Sequence, residues 1–280
     1  MVLLGGTAGN ALASLGAIDK WISTLNSSVS GSARTGYKNA QVTFGGGTTR
    51  LERPVINGAL GIQYAEQALN VGSVNIDFSQ GQVVASTQYT HFALSGSQNA
   101  FFVYSDSPNY GPGSGTKFYY SRDGETHRDA TGNLVNANGL YLVGSDGFGG
   151  VVAVNVPMTS NDPEGDIAAR VDAGNLNLGG VNRLAHAFID DLSSLKYSKF
   201  GGTIFETNPP TTVLGTNFRV SDPATASSGV RITGSALEAS NVQLPSTTVE
   251  LSLAQKIYNA LVKVIQVDQG KIDSILNLIR

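Results

Sequence analysis

The side chains that could bind a metal ion are few and are spread widely along the chain. Three histidines occur, His91, His127 and His186, and no two of them form an HxH or HxxxH pair. Zinc sites need several such ligands at short, regular spacings. Cysteine is absent, which excludes thiolate catalysis, disulfides and cysteine-ligated zinc. The sequence therefore predicts no metal site and no cofactor.

Carboxylates are the remaining candidates for catalysis. Asp106, Asp123 and Asp129 surround a predicted hairpin region, and a carboxylate pair among them could hydrolyse a glycosidic bond. Aspartate is also common at glycine-rich turns for conformational reasons alone. Asp190 and Asp191 are adjacent, so in a strand they would point to opposite faces. Because no GxSxG nucleophile motif is present either, we expect no catalytic residue and no enzyme activity.

The segment that holds these histidines and acids has the pattern of antiparallel β-structure. In residues 61–151, short runs alternate apolar and polar residues and are separated by turn dipeptides. Asn138-Gly139 lies between two apolar runs and is the strongest of these hairpin signals. Residues 145–235 are predicted to remain β-rich but less regular, with a turn at Asp162-Pro163-Glu164-Gly165.

Both ends of the chain carry a helical pattern instead. Near the N-terminus, apolar residues repeat at intervals of four and three, which is the spacing of a coiled-coil seam, although an ordinary amphipathic helix would also show it. From Val249 to Ile279 a second apolar stripe extends over about 46 Å of helix and needs a partner. Helices on both sides of a β-rich insert predict a chain that doubles back on itself. The N-terminal repeat consists of Ala11, Leu15, Ile18, Ile22, Leu25 and Val29.

Composition narrows the function further. The chain has 280 residues and a net charge of −3 at pH 7, which gives no electrostatic attraction to nucleic acid. No run of 18 apolar residues is present, so we expect no membrane insertion. The first charged residue is Asp19, and a cleaved secretion signal would begin with a basic region. If the protein is exported, we expect export without a cleaved leader.

Several motifs resemble those of the bacterial flagellar rod and hook family of axial proteins. Gly234 with Leu237 to Val242 is similar to the family pattern G-x-L-E-x-S-N-V. Ala254 to Lys263 is similar to A-Q-R-x-Y-x-x-x-x-K, with lysine in place of the arginine. Ile76 to Gly81 resembles F-x-Q-G, and Tyr120 to Gly124 resembles Y-T-R-x-G. Of the N-terminal family pattern N-N-x-A-N-x-x-T-x-G-F-K, the chain keeps Gly36, Tyr37 and Lys38.

The resemblance implies an α+β fold in which the N- and C-terminal helices pair as a coiled-coil-like inner domain, with an antiparallel β-rich outer insert. The inner domain would comprise residues 1–38 and 236–280. Residues 39–150 would form a β-rich domain, and residues 151–235 its continuation or a second outer subdomain. The stretch 145–228 is only weakly covered by the motifs.

The implied function is that of a structural subunit that polymerises into a hollow helical tube, the rod or hook of the flagellum. The implied partners are further copies, neighbouring axial proteins, the type III export apparatus and a capping protein, and the implied location is periplasmic or at the cell surface. The length favours a distal-rod-like or small hook subunit. The expected self-assembly residues are Leu15, Ile18, Ile22, Leu25, Leu253, Ile257, Leu261, Val264, Ile272, Ile275 and Ile279. The family-motif residues are Gly36, Tyr37, Lys38, Glu238, Asn241, Gln255, Tyr258 and Lys263.

Two other functions fit the same sequence. One is a secreted β-rich domain with helical flanks that binds or hydrolyses carbohydrate, which would need aromatic or acidic side chains on one sheet face. Its aromatic candidates are Tyr89, Tyr104, Tyr110, Tyr119 and Tyr120. The other is a subunit of a flagella-related surface filament with a role other than motility.

Overall fold

The chain divides into two compact units, each built from segments that are distant in sequence. Unit 1 comprises Met1–Ser30, Ala40–Asp77 and Gln243–Arg280, and unit 2 comprises Gly31–Asn39 and Phe78–Val242. The fold is taken from a computed structural model. The residues that the structure describes are 6–46, 50–51, 63–64, 68–110, 115–146, 150–156, 164–173, 176–177, 181, 183–207, 218–220 and 229–278.

Three α-helices occur in these residues: α1 (Gly6–Gly31), α2 (Glu164–Asp172) and α3 (Leu244–Leu278). Unit 1 combines α1 and α3 with a β-hairpin. In this hairpin β1 (Ala40–Gly46) pairs antiparallel with a later strand, and the register shifts between Thr43 and Phe44. The unit 1 strands that follow β1 are β2 (Arg50–Leu51), β3 (Gln63–Tyr64) and β4 (Leu69–Ile76), of which β4 is the partner of β1 and β2 pairs with β3.

The two long helices of unit 1 meet in one small apolar cluster. Ile18, Leu25 and Ala254 are buried at its centre. The hairpin takes part as well, since the Trp21 and Phe44 rings pack edge to face with centroids 5.3 Å apart. Half-buried residues complete the cluster: Trp21, Ile22, Leu69, Leu251, Ile257, Tyr258 and Leu261. Part of the apolar surface of α1 is therefore covered by β1 and β4.

The predicted fold class was wrong. The described residues are mostly antiparallel β-sheet with three helices, and no long coiled-coil pairing of the N- and C-terminal helices is evident among them. Among its described side chains, α3 buries only Thr247, Ala254 and Asp268. A heptad spacing predicts an apolar stripe without saying what covers it. Here the hairpin covers part of the α1 stripe.

Unit 2 is built around a ten-stranded antiparallel sheet. The strands of this unit are β5 Val83–Ala85, β6 Phe92–Ser95, β7 Ala100–Ser105, β8 Phe118–Ser121, β9 Thr126–Arg128, β10 Leu134–Asn136, β11 Tyr141–Ser145, β12 Val151–Ala153, β13 Arg183–Phe188, β14 Leu195–Ser198, β15 Gly201–Thr207, β16 Phe218–Val220, β17 Arg231–Gly234 and β18 Ala236–Glu238. The strand order in the ten-stranded sheet is β14-β15-β8-β7-β13-β11-β10-β9, with β12 added to β11 and β16 added to β13. Two small sheets accompany it, in which β17 pairs with β6 and β18 with β5.

The predicted hairpin at Asn138-Gly139 is confirmed. β10 and β11 pair antiparallel across it, and Gly139 has a φ of +76°, which glycine adopts without steric cost. The helix α2 was not predicted, because Glu164 and Gly165 had been assigned to a turn. The main-chain N–H of Gly234 on β17 donates to Asp172 Oδ1 at the end of α2, at 2.9 Å.

The core of unit 2 consists of large apolar side chains from the central strands and α2. Phe102, Tyr104 and Leu142 are completely buried in it. Ile167 and Val171 extend it onto α2. β7 lies between β8 and β13 and every residue in it is buried, so it is well protected from solvent.

Candidate functional site

The structure gives the predicted self-assembly residues three different environments. Ile18 and Leu25 are buried, and Leu15, Ile22, Ile257 and Leu261 are half-buried. Ile279 lies outside the described residues. Four residues of α3 are instead exposed: Leu253, Val264, Ile272 and Ile275.

The exposed apolar residues of α3 form a continuous stripe along one face. They recur at intervals of three, four, seven and eight, which places them on one side of an α-helix. Leu253 is 50%, Val267 59% and Leu278 86% exposed. We call this face the outer stripe; it consists of Val249, Leu253, Lys256, Ala260, Val264, Val267, Lys271, Ile275 and Leu278.

The outer stripe exposes more contiguous apolar surface than a helix packed within a single domain normally leaves uncovered. Single exposed apolar residues are normal, whereas contiguous apolar surface marks an interaction site. The helix has 35 residues, which corresponds to a length of about 52 Å. Lys256 and Lys271 are the two charged residues in the stripe. Ile272 and Leu276 add exposed apolar surface beside its C-terminal half.

The family-motif residues fall into two groups. Gly36, Tyr37, Lys38, Glu238 and Asn241 lie together in unit 2, although about two hundred residues of sequence separate the first three from the last two. The other three lie on α3. There Tyr258 packs in the helix cluster of unit 1, while Gln255 and Lys263 are exposed.

At the centre of the first group is a buried cluster of charged side chains, which we call the charge cluster: Lys38, Arg122 and Glu238. All three side chains have no exposed surface. Glu238 Oε1 accepts a hydrogen bond from Lys38 Nζ at 2.6 Å and another from the N–H of Gly81 at 2.8 Å. Arg122 Nε lies 3.5 Å from Glu238 Oε2. Two cations therefore share one carboxylate, and the charges of these three side chains sum to +1.

Two main-chain carbonyls and an aromatic ring also stabilise the two buried cations. Lys38 Nζ also donates to the carbonyl of Ser79 at 2.7 Å, and Arg122 Nη2 donates to the carbonyl of Ser97 at 2.8 Å. The Arg122 guanidinium carbon lies 5.8 Å from the centre of the Phe101 ring, a favourable cation–π position. Burial lowers the pKa of Arg122, and the nearby Glu238 raises it.

Main-chain contacts hold the same chain segments together. The N–H of Gly36 donates to the carbonyl of Glu238 at 2.8 Å, and the N–H of Asn39 donates to Asn241 Oδ1 at 2.7 Å. Asn241 Nδ2 in turn donates to the Ser79 carbonyl at 3.1 Å. We call residues 31–39 and 236–241 the lead-in segments, because the first follows α1 in the chain and the second precedes α3.

Gly36 is required at its position for two reasons. Its φ is +64°, and a Cβ there would overlap the backbone of Arg122 and Asp123. We expect Gly36→Ala to lower the free energy of unfolding by more than about 2 kcal/mol, measured by urea denaturation. Gly139→Ala is the matched control, with φ +76° and open space around its Cβ. It should cost about 1 kcal/mol. Equal losses would show that the close approach to Asp123 is unimportant.

The sequence did not identify the role of Arg122 and Asp123. Both belong to the stretch that resembles Y-T-R-x-G, and an arginine beside a turn was not expected to be buried. Thr35 Oγ1 donates to Asp123 Oδ1 at 2.6 Å. Burial raises the pKa of the Asp123 carboxyl, and the Thr35 hydrogen bond opposes that rise. A useful sequence signal would have been the opposite charges in the two distant motifs at Lys38 and Glu238.

The candidate catalytic acids accept hydrogen bonds from different partners: Asp106 from the N–H of Lys117, Asp123 from Thr35 and Asp129 from Thr131. In the described part of the chain, no three histidine, aspartate or glutamate side chains are grouped as metal ligands would be. His91 Nδ1 lies 2.8 Å from Ser86 Oγ, and burial lowers the pKa of His91. Asp129 accepts hydrogen bonds within its own turn, from Thr131 and Asn133.

The tyrosines considered for carbohydrate stacking are mostly inaccessible. Tyr104, Tyr119 and Tyr120 are buried. The Tyr104 hydroxyl donates to the carbonyl of Asp123 at 2.7 Å. Tyr110 stacks on Phe118, with ring centroids 6.0 Å apart, and burial raises its pKa to about 12. These side chains serve packing, and this weighs against a sugar-binding face made from them.

Comparison with known proteins gives no family for this chain. No protein-family model matches it. A search of curated proteins finds no significant match either. Among the described helices, none combines the length and the apolar character needed to cross a membrane.

Proposed function

We propose that the protein is a structural subunit that assembles with copies of itself through the outer stripe of α3. The observation that carries this proposal is the exposure of a long, mostly apolar helix face that contains two lysines. Full burial of a valine or leucine side chain contributes about 1.5–3 kcal/mol. Covering several of these residues would therefore stabilise a contact between subunits substantially.

A second copy is the occupant that we propose for the outer stripe. A surface that covers it must be largely apolar, because seven of the nine residues in the stripe are apolar and only Lys256 and Lys271 offer an ionic contact. In the described residues, the same stripe on another copy has this character and a matching length. If the contact joins different surfaces of the two copies, repetition produces a filament, whereas a symmetric contact produces a closed dimer.

We further propose, from the motif resemblance, that the assembly is the rod or hook of a bacterial flagellum. The support is the order of the motifs in the sequence and the position of Lys38, Glu238 and Asn241 in one cluster. A chain of this kind would be exported without a cleaved leader and would contact neighbouring axial proteins, the export apparatus and a capping protein. Its role in motility, or in a related surface filament, is part of the same proposal.

The assembly state of the purified full-length chain tests this proposal. We expect sedimentation velocity to show polymers that grow with protein concentration, and negative-stain electron microscopy to show tubes of regular diameter. Sedimentation as a monomer at all concentrations would refute self-assembly. Closed dimers without tubes would retain the self-contact but refute the filament. Hydrolysis or specific binding of oligosaccharides by a monomer would favour the carbohydrate alternative.

A further inference from the structure

The charge cluster joins three parts of unit 2 that are remote in sequence. Lys38 belongs to the first lead-in segment, Glu238 to the second, and Arg122 to the turn after β8. Glu238 is the one anion of the cluster. If either lead-in segment leaves, the cations and the carboxylate can no longer neutralise one another in the interior. Charges that remain buried without a partner cost several kcal/mol each.

Other contacts between the two lead-in segments depend on the same geometry. The side chain of Glu238 accepts a hydrogen bond from the N–H of Gly81, and its main-chain carbonyl accepts one from the N–H of Gly36. The next residue, Ala239, donates its N–H to the carbonyl of Gln82 at 2.8 Å. A Cβ at Gly81 would overlap the carbonyl of Ala239, so the two chain segments are in close contact. Loss of Glu238 from its position would therefore break these hydrogen bonds together.

The lead-in segments contact the ten-stranded sheet through side chains, as where Arg34 Nη2 donates to Thr203 Oγ1 on β15 at 3.3 Å, but they add no strand to it. β18 pairs with β5 in a two-stranded sheet, and no residue of 31–39 is in a strand. β7, by contrast, has neighbours on both sides and no exposed residue. Segments with fewer interactions to the core open at a lower free energy than the core itself, and they open as contiguous units.

We propose that Lys38, Arg122 and Glu238 form an ionic latch that holds residues 31–39 and 236–241 closed as one unit. When the latch opens, both lead-in segments are released together while the ten-stranded sheet stays folded. In the chain these two segments are continuous with α1 and α3. The latch acts within a single chain, so it stands or fails independently of the proposed self-assembly.

Hydrogen–deuterium exchange of the full-length protein, resolved at single amides, tests the latch. The informative amides are those of Gly36, Asn39, Gly81 and Ala239. We expect these four to exchange at one common rate after correction for intrinsic rates, at least about tenfold faster than the β7 amides. Exchange of the four with four unrelated rates, or at the rate of the β7 amides, would overturn the proposal.

Two variants sharpen the test. Glu238→Gln should speed exchange of all four amides together by about a hundredfold or more while β7 remains protected. Should this variant fail to fold, Lys38→Met provides the measurement, and it should speed the same four amides by a smaller common factor. Glu206→Gln is the control, since the Lys196–Glu206 pair lies partly exposed at the surface with a distance of 3.3 Å. It should leave all of these rates unchanged, and a change equal to that of Glu238→Gln would refute a specific latch.

Discussion

Replacing Glu238 by glutamine is expected to lower the free energy of unfolding by about 3–5 kcal/mol, because it removes the carboxylate with which both Lys38 and Arg122 pair. Glutamine keeps the shape of the side chain and can still accept the hydrogen bond from Gly81. What it removes is the negative charge, so the net charge of these three side chains rises from +1 to +2. Urea denaturation followed by circular dichroism measures the loss.

The net charge of the cluster predicts that Lys38→Met lowers the free energy of unfolding less than Glu238→Gln does. Lys38→Met removes a cation and leaves Glu238 balanced by Arg122, so we expect it to cost less than about 2 kcal/mol. Glu206→Gln, in the surface pair with Lys196, should cost less than about 1 kcal/mol. If Lys38→Met were as damaging as Glu238→Gln, the net charge would not be what controls stability, and the hydrogen bonds to Ser79 and Gly81 would be the explanation.

The local elements of the fold were largely readable from the sequence, and the arrangement of the helices was not. Asn138-Gly139 predicted its hairpin because the turn type depends on two adjacent residues. α1 and α3 followed from apolar spacing. Their predicted pairing failed because spacing shows which residues form a stripe and not which surface covers it. Trp21 packs on Phe44, and that contact depends on the hairpin register, which involves residues far apart in sequence.

The members of the charge cluster could be predicted from the sequence only in part. Lys38 and Glu238 were identified within motifs, but neither motif alone indicates burial or pairing. Arg122 was missed as a third member because a charged residue beside a turn is normally exposed. Its burial follows from the close approach of Gly36 to Asp123, a tertiary contact. The outer stripe was partly predicted, since Leu253, Val264 and Ile275 had been named, but their exposure required the structure.

Charging the outer stripe is expected to abolish self-assembly without harming the fold. In the double variant Val264→Lys, Val267→Lys, two exposed side chains become cations that a neighbouring apolar surface cannot cover. We expect the subunit dissociation constant to rise at least about a hundredfold, which corresponds to about 2.7 kcal/mol. Sedimentation velocity measures it. Lysine has a higher helix propensity than valine, so the thermal unfolding temperature of the monomer should be unchanged or slightly higher.

The matched control adds the same charge to another face of the same helix. Asn259 and Gln266 are exposed and lie away from the outer stripe, so Asn259→Lys, Gln266→Lys should assemble like the unmodified chain. Equal loss of assembly in both double variants would show that net charge governs association, and assembly that survives in both would show that α3 contributes no contact. Only loss confined to the first variant supports the outer stripe, because the two proteins share charge, length and helix and differ in which face carries the lysines.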